Sequence, residues 1–367
     1  MIDNVLILAG GSGTRLWPVS SANRPKQYIT IQKDGARKSL LELTLDRAAG
    51  LKPKRIMVIT LKSQAALVED AFSAWKAGFS GEAPELYVLP EPAARNTAPA
   101  ITAGVSYIAA CGGNGDINLV LPSDHLISPF GAFEADCGKA AALAAEGSIV
   151  TFGIAPRHPE TGYGYVKSGR ALMHGFAVDR FCEKPDIVTA RKFVEEGCYY
   201  WNSGMFVFKT DAYLDELEKY APDVFSTFAP VRTSDRASLE KAGRGAFLVM
   251  DNDEAAAIYA GSPSISVDYA VMEKTEKAAM VAATCDWNDI GSWDEFARLF
   301  PDATGESWEA DAKNNYVYSD MPVALVGVEG LIVAVQDGKI LVCKKGESQA
   351  VKSVIEKLKE ESRKDLL

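Results

Sequence analysis

The stretch that decides the fold opens the chain: MIDNVLILAGGSGTRLWPVSSANRPKQYI, residues 1–29. Val5 to Leu8 are four consecutive apolar residues, and Ala9 leads into Gly10, Gly11, Ser12 and Gly13. A short apolar run ending in glycines reads as a buried strand with a tight exit. Consecutive glycines let backbone N–H groups approach an anion with no Cβ in the way. Thr14 and Arg15 follow, then Lys26, so two cations stand beside the exit. Two known phosphate loops are approached and missed. Leu16 stands where a dinucleotide fingerprint needs its third glycine, and no Gly-Lys-Ser/Thr completes a P-loop. A plain strand-to-helix turn explains the glycines by themselves equally well; the cations tilt the reading towards a bound anion.

Outward from this stretch, strand-like and helix-like segments alternate. Leu40–Ala49 reads as a helix, Arg55–Thr60 as a strand, Ser63–Gly78 as a helix and Leu86–Leu89 as a strand. Ala98–Ala110 (helix), Asn118–Leu121 (strand), Phe130–Glu146 (helix) and Ser148–Gly153 (strand) continue the pattern. Helices of this length between strands imply crossover connections. The expectation is a Rossmann-like α/β fold: a mixed, mostly parallel sheet flanked by helices, with ligands beyond the carboxyl ends of the strands. Further on, Gly164–Ser168, Val178–Glu183 and Met205–Lys209 read as strands, and Ala212–Tyr220 and Glu254–Ala260 as helices; a break follows Trp293–Phe300. PDATGESWEADAKNN, residues 301–315, is polar and broken by Gly and Pro, and reads as a linker. Beyond it, glycine-split β segments over Val323–Cys343 and a charged helix from Ser348 to about Leu367 predict a small β subdomain, a β-helix fragment being one form of it. The expected domains are therefore 1–300 and 313–367.

Composition bounds the function. The chain has 367 residues, 47% hydrophobic and 24% charged, an ordinary globular balance. A net charge of −10 argues against a nucleic-acid partner, which calls for a basic face, but leaves room for one anionic ligand among local cations. No stretch has the length of a membrane span or the pattern of a signal peptide. The six cysteines are scattered without metal or redox spacing, and read as reduced core thiols in a cytoplasmic protein.

Seven motifs in order carry a resemblance. LAGGSGTRLWPVSSANRPKQ (8–27), EPAARNTAPA (91–100), LPSDH (121–125), PETGYGYV (159–166), FCEKP (181–185), WNSGMF (201–206) and WNDIGSW (287–293) resemble the sugar-1-phosphate nucleotidyltransferase family. The LWP and PKQ pieces look most like its mannose-1-phosphate guanylyltransferase branch. The resemblance implies transfer of GMP from GTP to mannose 1-phosphate, by in-line attack of a sugar-phosphate oxygen on the α-phosphorus. It implies catalysis by positioning and charge neutralisation, without a covalent nucleophile. Longer members add an isomerase domain; this chain, ending at Leu367, is expected to be a short, monofunctional form. A homodimer is left open.

The same resemblance assigns roles. Ala9, Gly10, Gly11, Ser12, Gly13 and Thr14 would hold the nucleotide, and Arg15 and Lys26 would act as catalytic cations. Asp124 and Asp289 would meet at one Mg²⁺, whose preference for hard oxygen ligands suits two carboxylates plus phosphate and water. Lys184 would bind the sugar phosphate. Glu183, Asn202 and the Gly164 backbone would bind the sugar, with Glu160 and Thr161 in the loop before them. Tyr199, Tyr200 and Trp201 could stack on the sugar or form core beneath it. Guanine offers two adjacent donors, N1–H and the N2 amine, which one carboxylate can accept together; Glu91 is the expected acceptor. Asn96 and Thr97 would contact base or ribose, while Arg95 would order the loop or touch phosphate. Two rival readings remain: a transferase for another base or sugar phosphate, and a noncatalytic nucleotide-sugar sensor. The second has no need of Lys26, Asp124, Lys184 and Asp289 together.

Overall fold

Val5, Leu6 and Ile7 have no solvent exposure, as an apolar run in the middle of a sheet requires. They form β1 (Asn4–Leu8), paired in parallel with β2 (Arg55–Leu61), which pairs in parallel with β3 (Glu85–Glu91). On its other side β1 pairs in parallel with β4 (Ile117–Pro122). The computed structural model describes residues 1–367 except 12, 22, 23, 34, 35, 82, 83, 234–251, 303, 304, 364 and 367.

Five more strands complete this sheet: β5 (Ile149–Ile154), β6 (Tyr165–Leu172), β7 (Gly175–Cys182), β8 (Tyr199–Lys209) and β9 (Ala278–Ala282). The strand order is β3-β2-β1-β4-β8-β5-β9-β7-β6, with β8 also touching β6. The β1–β4 half is parallel, as crossover helices dictate. β8 runs antiparallel to both β4 and β5, while β5 and β9 are parallel. The mixed α/β fold expected from the alternation is therefore found, with two strands, β8 and β7, running antiparallel to their neighbours. The β8–β5 register breaks between Asn202 and Phe206. Helix Thr97–Ala110 packs so closely on the sheet that a Cβ at Gly104 would lie 2.6 Å from Leu6 and 3.3 Å from Ile59. A mid-helix glycine costs about 1 kcal/mol of propensity, and close approach of helix to strand explains its presence here. Helix Ile187–Glu196, absent from the sequence reading, starts at an Asp186 cap that accepts from Thr189 N–H and ends at left-handed Gly197.

By compactness the chain divides into Met1–Gly10, Thr44–Ser123 and Ile127–Trp287 as one unit, and Gly11–Leu43, Asp124–Leu126 and Asn288–Leu367 as the other. This differs from the expected 1–300 and 313–367 division, because residues 11–43 share a core with the C-terminal strands. In the second unit Ser307 pairs with Val323, Lys313 with Glu329 and Tyr316 with Ile332, all in parallel at a constant offset of sixteen residues. Equal offsets mean stacked coils, the signature of a β-helix. Side chains alternate along its strands. Val317, Leu325, Val333 and Val335 form one cluster. Tyr316, Tyr318, Ile332 and Ala334 turn to the other face, where they meet Leu16, Trp17, Ile29, Trp293 and Phe296.

Three expectations are corrected here. Ser307–Ala310, inside the expected linker, is a strand; all four side chains are exposed, so no apolar pattern marked it. The terminal helix runs Val351–Glu360, shorter than expected. The cysteines are free thiols, but only Cys137 and Cys285 are buried. Among the described residues no helix is long and apolar enough to cross a membrane.

Candidate functional site

In the second unit Gly13 takes a conformation that favours glycine. Its φ of +57° is left-handed, and a Cβ there would collide with the Lys26 side chain; glycine meets both demands. The Gly13 carbonyl accepts from Ser20 Oγ at 2.7 Å, and the Gly11 carbonyl from Gln27 Nε2 at 3.4 Å. Thr14–Leu16 form a 3-10 turn in which Arg15 is exposed. Ser12 lies outside the described residues.

Lys26 is 6% exposed, in a second 3-10 turn entered through Pro25. Its Nζ donates to Asp124 Oδ2 at 2.8 Å and to the backbone carbonyl of Asp289. The structure thus brings Lys26, Asp124 and Asp289 together across the sequence, reaching Asp289 through its main chain. Burial acts to raise the Asp124 pKa. The Lys26 charge and hydrogen bond, with His125 Nε2 at 3.8 Å from Oδ1, outweigh burial and hold the carboxyl below its usual range. Asp289 sits in a turn that sequence reading did not resolve. Ile290 has φ +47° and its N–H donates to Asn288 Oδ1 at 2.7 Å. A β-branched residue in that region persists only where its surroundings impose it, and Ile290 is fully buried in the core. A Cβ at Gly291 would lie 2.9 Å from Asp289 Oδ2, so glycine leaves room for that carboxylate.

The first unit carries two groups. At the end of β3, Glu91 is 5% exposed, with Oε2 3.3 Å from where a Gly10 Cβ would stand. Its Oε1 has no hydrogen-bond partner among the described residues, nor has the hydroxyl of Tyr259, a residue the sequence reading missed. Burial pushes the Glu91 carboxyl up to about 8, with the Tyr259 phenol acting against the shift. The neighbouring loop is occupied with structure. Arg95 Nε donates to the Tyr259 carbonyl at 2.8 Å, Asn96 Oδ1 accepts from Thr97 N–H at 2.8 Å, and Thr97 Oγ1 accepts from Val267 N–H at 2.9 Å. Arg95 orders the loop, and the Thr97 hydroxyl fastens it to the segment before Asp268.

The other group gathers Gly164, Glu183, Lys184 and Asn202 as a set. The Gly164 carbonyl accepts from Asn202 N–H at 2.8 Å, and a Cβ at Gly164 would collide with the Glu183 carboxylate. Lys184, at φ +46°, donates to Glu183 Oε1 at 2.7 Å; the lysine is exposed and the glutamate nearly buried. Asn202 lies at the register break of β8, a device that re-aims a side chain. Its Oδ1 accepts from Thr151 Oγ1 at 2.9 Å and Gly204 N–H at 3.3 Å, and its Nδ2 donates to Asp268 Oδ1 at 3.0 Å. Burial, together with the Glu183 charge, pushes the Asp268 carboxyl up to about 6. Asp268 was not anticipated; the available signal was an acid set between Val267 and the apolar Ala270–Met272. Glu160 serves its own loop, its Oε1 accepting from Gly162 N–H at 2.8 Å. Tyr199 stacks on Phe193 with ring centroids 3.9 Å apart, and Trp201 packs against His158 and Tyr163. Both are buried core.

Residues 4–306 match the nucleotidyl transferase family. The chain belongs to that family. Residues 305–358 match the MannoseP isomerase/GMP-like β-helix domain, in line with the stacked coils described above. Over 98% of its length this nucleotidyltransferase is 39% identical to the xanthan biosynthesis protein XanB of Xanthomonas campestris pv. campestris (strain B100), spanning 74% of that protein. It is 37% identical, over the same shares, to a mannose-1-phosphate guanylyltransferase of Klebsiella pneumoniae. The crystal structure of a Thermus thermophilus protein described as a mannose-1-phosphate geranyltransferase superposes with TM-score 0.80 at 30% identity, covering 98% of this chain and 100% of that one. The chain is thus an enzyme of nucleotidyl transfer.

Proposed function

We propose that this nucleotidyltransferase moves GMP from GTP to mannose 1-phosphate, giving GDP-mannose and pyrophosphate. A sugar-phosphate oxygen bonds to the α-phosphorus as the bond from that phosphorus to the departing pyrophosphate breaks. The observation that carries the choice of base is Glu91: a buried carboxyl with an unpartnered oxygen suits the adjacent N1–H and N2 donors of guanine. Lys26 places a fixed positive charge for the triphosphate, and the glycine-rich exit offers backbone N–H groups to it. Lys184 faces the sugar phosphate. Glu183, Asn202 and the Gly164 backbone read sugar hydroxyls, Asn202 being held in one orientation by the Gly204 N–H and Asp268.

Asp124 and Asp289 fit one Mg²⁺. Both offer hard oxygens, Asp124 is held ionised, and the Lys26 ammonium already rests on Asp124 as a cation would. When bound, such an ion supplies charge neutralisation of phosphate oxygens. The chain's own residues position the two anions and balance their charge. The test is a panel of four nucleoside triphosphates against mannose, glucose and fucose 1-phosphates, read by pyrophosphate release. GTP with mannose 1-phosphate should dominate; a preference for another pair overturns the assignment.

A further inference from the structure

Tyr259 has no role in the scheme above, yet its phenol is one of two buried, unpartnered polar groups in the same place. We propose that Tyr259 and Glu91 are one base-reading pair. In the free protein the phenol lies against a protonated Glu91 carboxyl. A guanine expels that proton, putting N1–H and the N2 amine on the carboxylate and O6 on the phenol. This rests on the guanine reading of Glu91 and adds to it a second reading residue and a proton exchange.

The grounds are geometric. Glu91 is 5% exposed and Tyr259 4% exposed. Glu91 Oε1 and the Tyr259 hydroxyl each lack a well-formed hydrogen-bond partner among the described residues, and the weak hydrogen bond of the phenol to the carboxyl offsets its burial only in part. A buried polar group left unmade costs about 1–3 kcal/mol, so two side by side point to a ligand that completes both. Guanine presents one acceptor beside two donors along a single edge, and a phenol beside a carboxylate is the complementary order. Tyr259 is fixed in position. It lies in helix Asn252–Gly261, Arg95 Nε holds its carbonyl at 2.8 Å, and Phe228 meets its ring edge-on at 5.5 Å.

The proton follows from the surroundings. The neighbours of the carboxyl are the Gly10 backbone at the strand exit and Tyr259 from its helix; Leu61, its register partner on β2, is apolar. Among the described residues no cation lowers its pKa, and the guanidinium nearest in sequence, Arg95, is engaged with the Tyr259 and Ala260 carbonyls. A neutral carboxyl is the stable form there. Two ligand N–H donors need the ionised form, so binding releases the proton to solvent.

The experiment is calorimetry of GDP-mannose binding in buffers of differing ionisation enthalpy. GDP-mannose has no phosphate group titrating near neutrality, so released protons come from the protein. Close to a full proton per ligand should be released at pH 7, falling away towards pH 9, below the ionisation of guanine N1–H. No proton released by wild type that binds GDP-mannose overturns the exchange. Failure to bind GDP-mannose at all, with another nucleotide sugar binding, overturns instead the reading on which it rests. Glu91→Gln should bind more weakly and release none. Tyr259→Phe tests the second residue by kinetics. It should raise KM about tenfold for GTP and for inosine triphosphate alike, since both carry O6, and leave kcat near wild type. Glu91→Gln should instead penalise GTP more than inosine triphosphate, which lacks the N2 amine. An unchanged KM for GTP in Tyr259→Phe, with an unchanged melting temperature, removes the phenol from base reading.

Discussion

Glu91 and Asp268 belong to the first compact unit and Asp124 to the second, and the pKa of the same functional group is shifted in opposite directions in the two. Burial pushes the first pair up, to about 8 and about 6. Asp124 is pulled down because Lys26 and His125 outweigh the burial that would raise it. Glu91, with no cation lowering its pKa among the described residues, stays neutral until a ligand brings N–H donors. A carboxylate with a lysine on it stays charged and ready for a cation. In the proposed scheme base and sugar offer donors, whereas a polyphosphate arrives with its counterion, and the opposite shifts suit that division.

The largest effect should come from breaking the ionised side. Asp124→Ala and Asp289→Ala should each abolish pyrophosphate release in Mg²⁺, Mn²⁺ substituting in the wild type. Near-normal turnover in either variant removes the metal assignment and, with it, the reason for keeping Asp124 charged.

Lysine variants sharpen the same side. Lys26→Ala should slow turnover by about 10²–10³, the usual cost of losing one preorganised charge. Lys184→Ala should chiefly raise KM for mannose 1-phosphate, because in the proposed scheme that exposed ammonium binds the sugar phosphate. The reverse division between kcat and KM would exchange the two roles.

How far the sequence disclosed this contrast can be judged residue by residue. β1, its glycine exit and Lys26 were legible because the signal is local: an apolar run, a need for backbone without Cβ, a nearby charge. Glu183 and Asn202 were legible through motif order, since a lone Glu-Lys pair usually marks a solvated surface. Tyr259 and Asp268 were not, because their meaning comes from partners far off in sequence, Glu91 and Asn202. Strand Ser307–Ala310 was hidden for another reason: its pairing with Val323–Val326 is backbone only, and its exposed side chains record nothing of it. The grouping of residues 11–43 with the C-terminal strands depended on which face of Tyr316–Ser319 each side chain takes, which alternation suggests but cannot join to a distant partner.

The neutral side is tested first at Glu91. Glu91→Gln should reduce discrimination for GTP over UTP about tenfold to a hundredfold, the cost of one unpaired buried group. It should spare stability at low pH, because an amide mimics the neutral carboxyl. The folded-state pKa lies above the ordinary 4.5, so the neutral carboxyl's contribution to stability is complete below that value and is lost as pH rises through about 8. Melting temperatures should therefore favour Glu91→Gln over wild type increasingly between pH 5 and 9. A gap that stays constant across this range would mean that Glu91 is ionised in the free protein, as Asp124 is.

The smallest effect should come from Asp268, which touches the sugar group only through Asn202. Its carboxylate oxygen accepts from Asn202 Nδ2, and Gly204 N–H fixes the other end of the same amide. Asp268→Asn can still accept through its carbonyl oxygen, so Asn202 keeps its orientation and the loss is part of one hydrogen bond. At about 0.5–1.5 kcal/mol for such a bond, KM for mannose 1-phosphate should rise about twofold to tenfold while kcat is nearly unchanged. The pH profile carries the sharper distinction. In the wild type Asp268 gains its charge as pH rises through about 6, beside Glu183 and against the same amide. KM for the sugar phosphate should therefore change more steeply across that pH in the wild type than in Asp268→Asn, where only the substrate's own second phosphate ionisation, near pH ~6, remains. Equal slopes in both proteins would assign the titration to another group and leave Asp268 as a support for Asn202 alone.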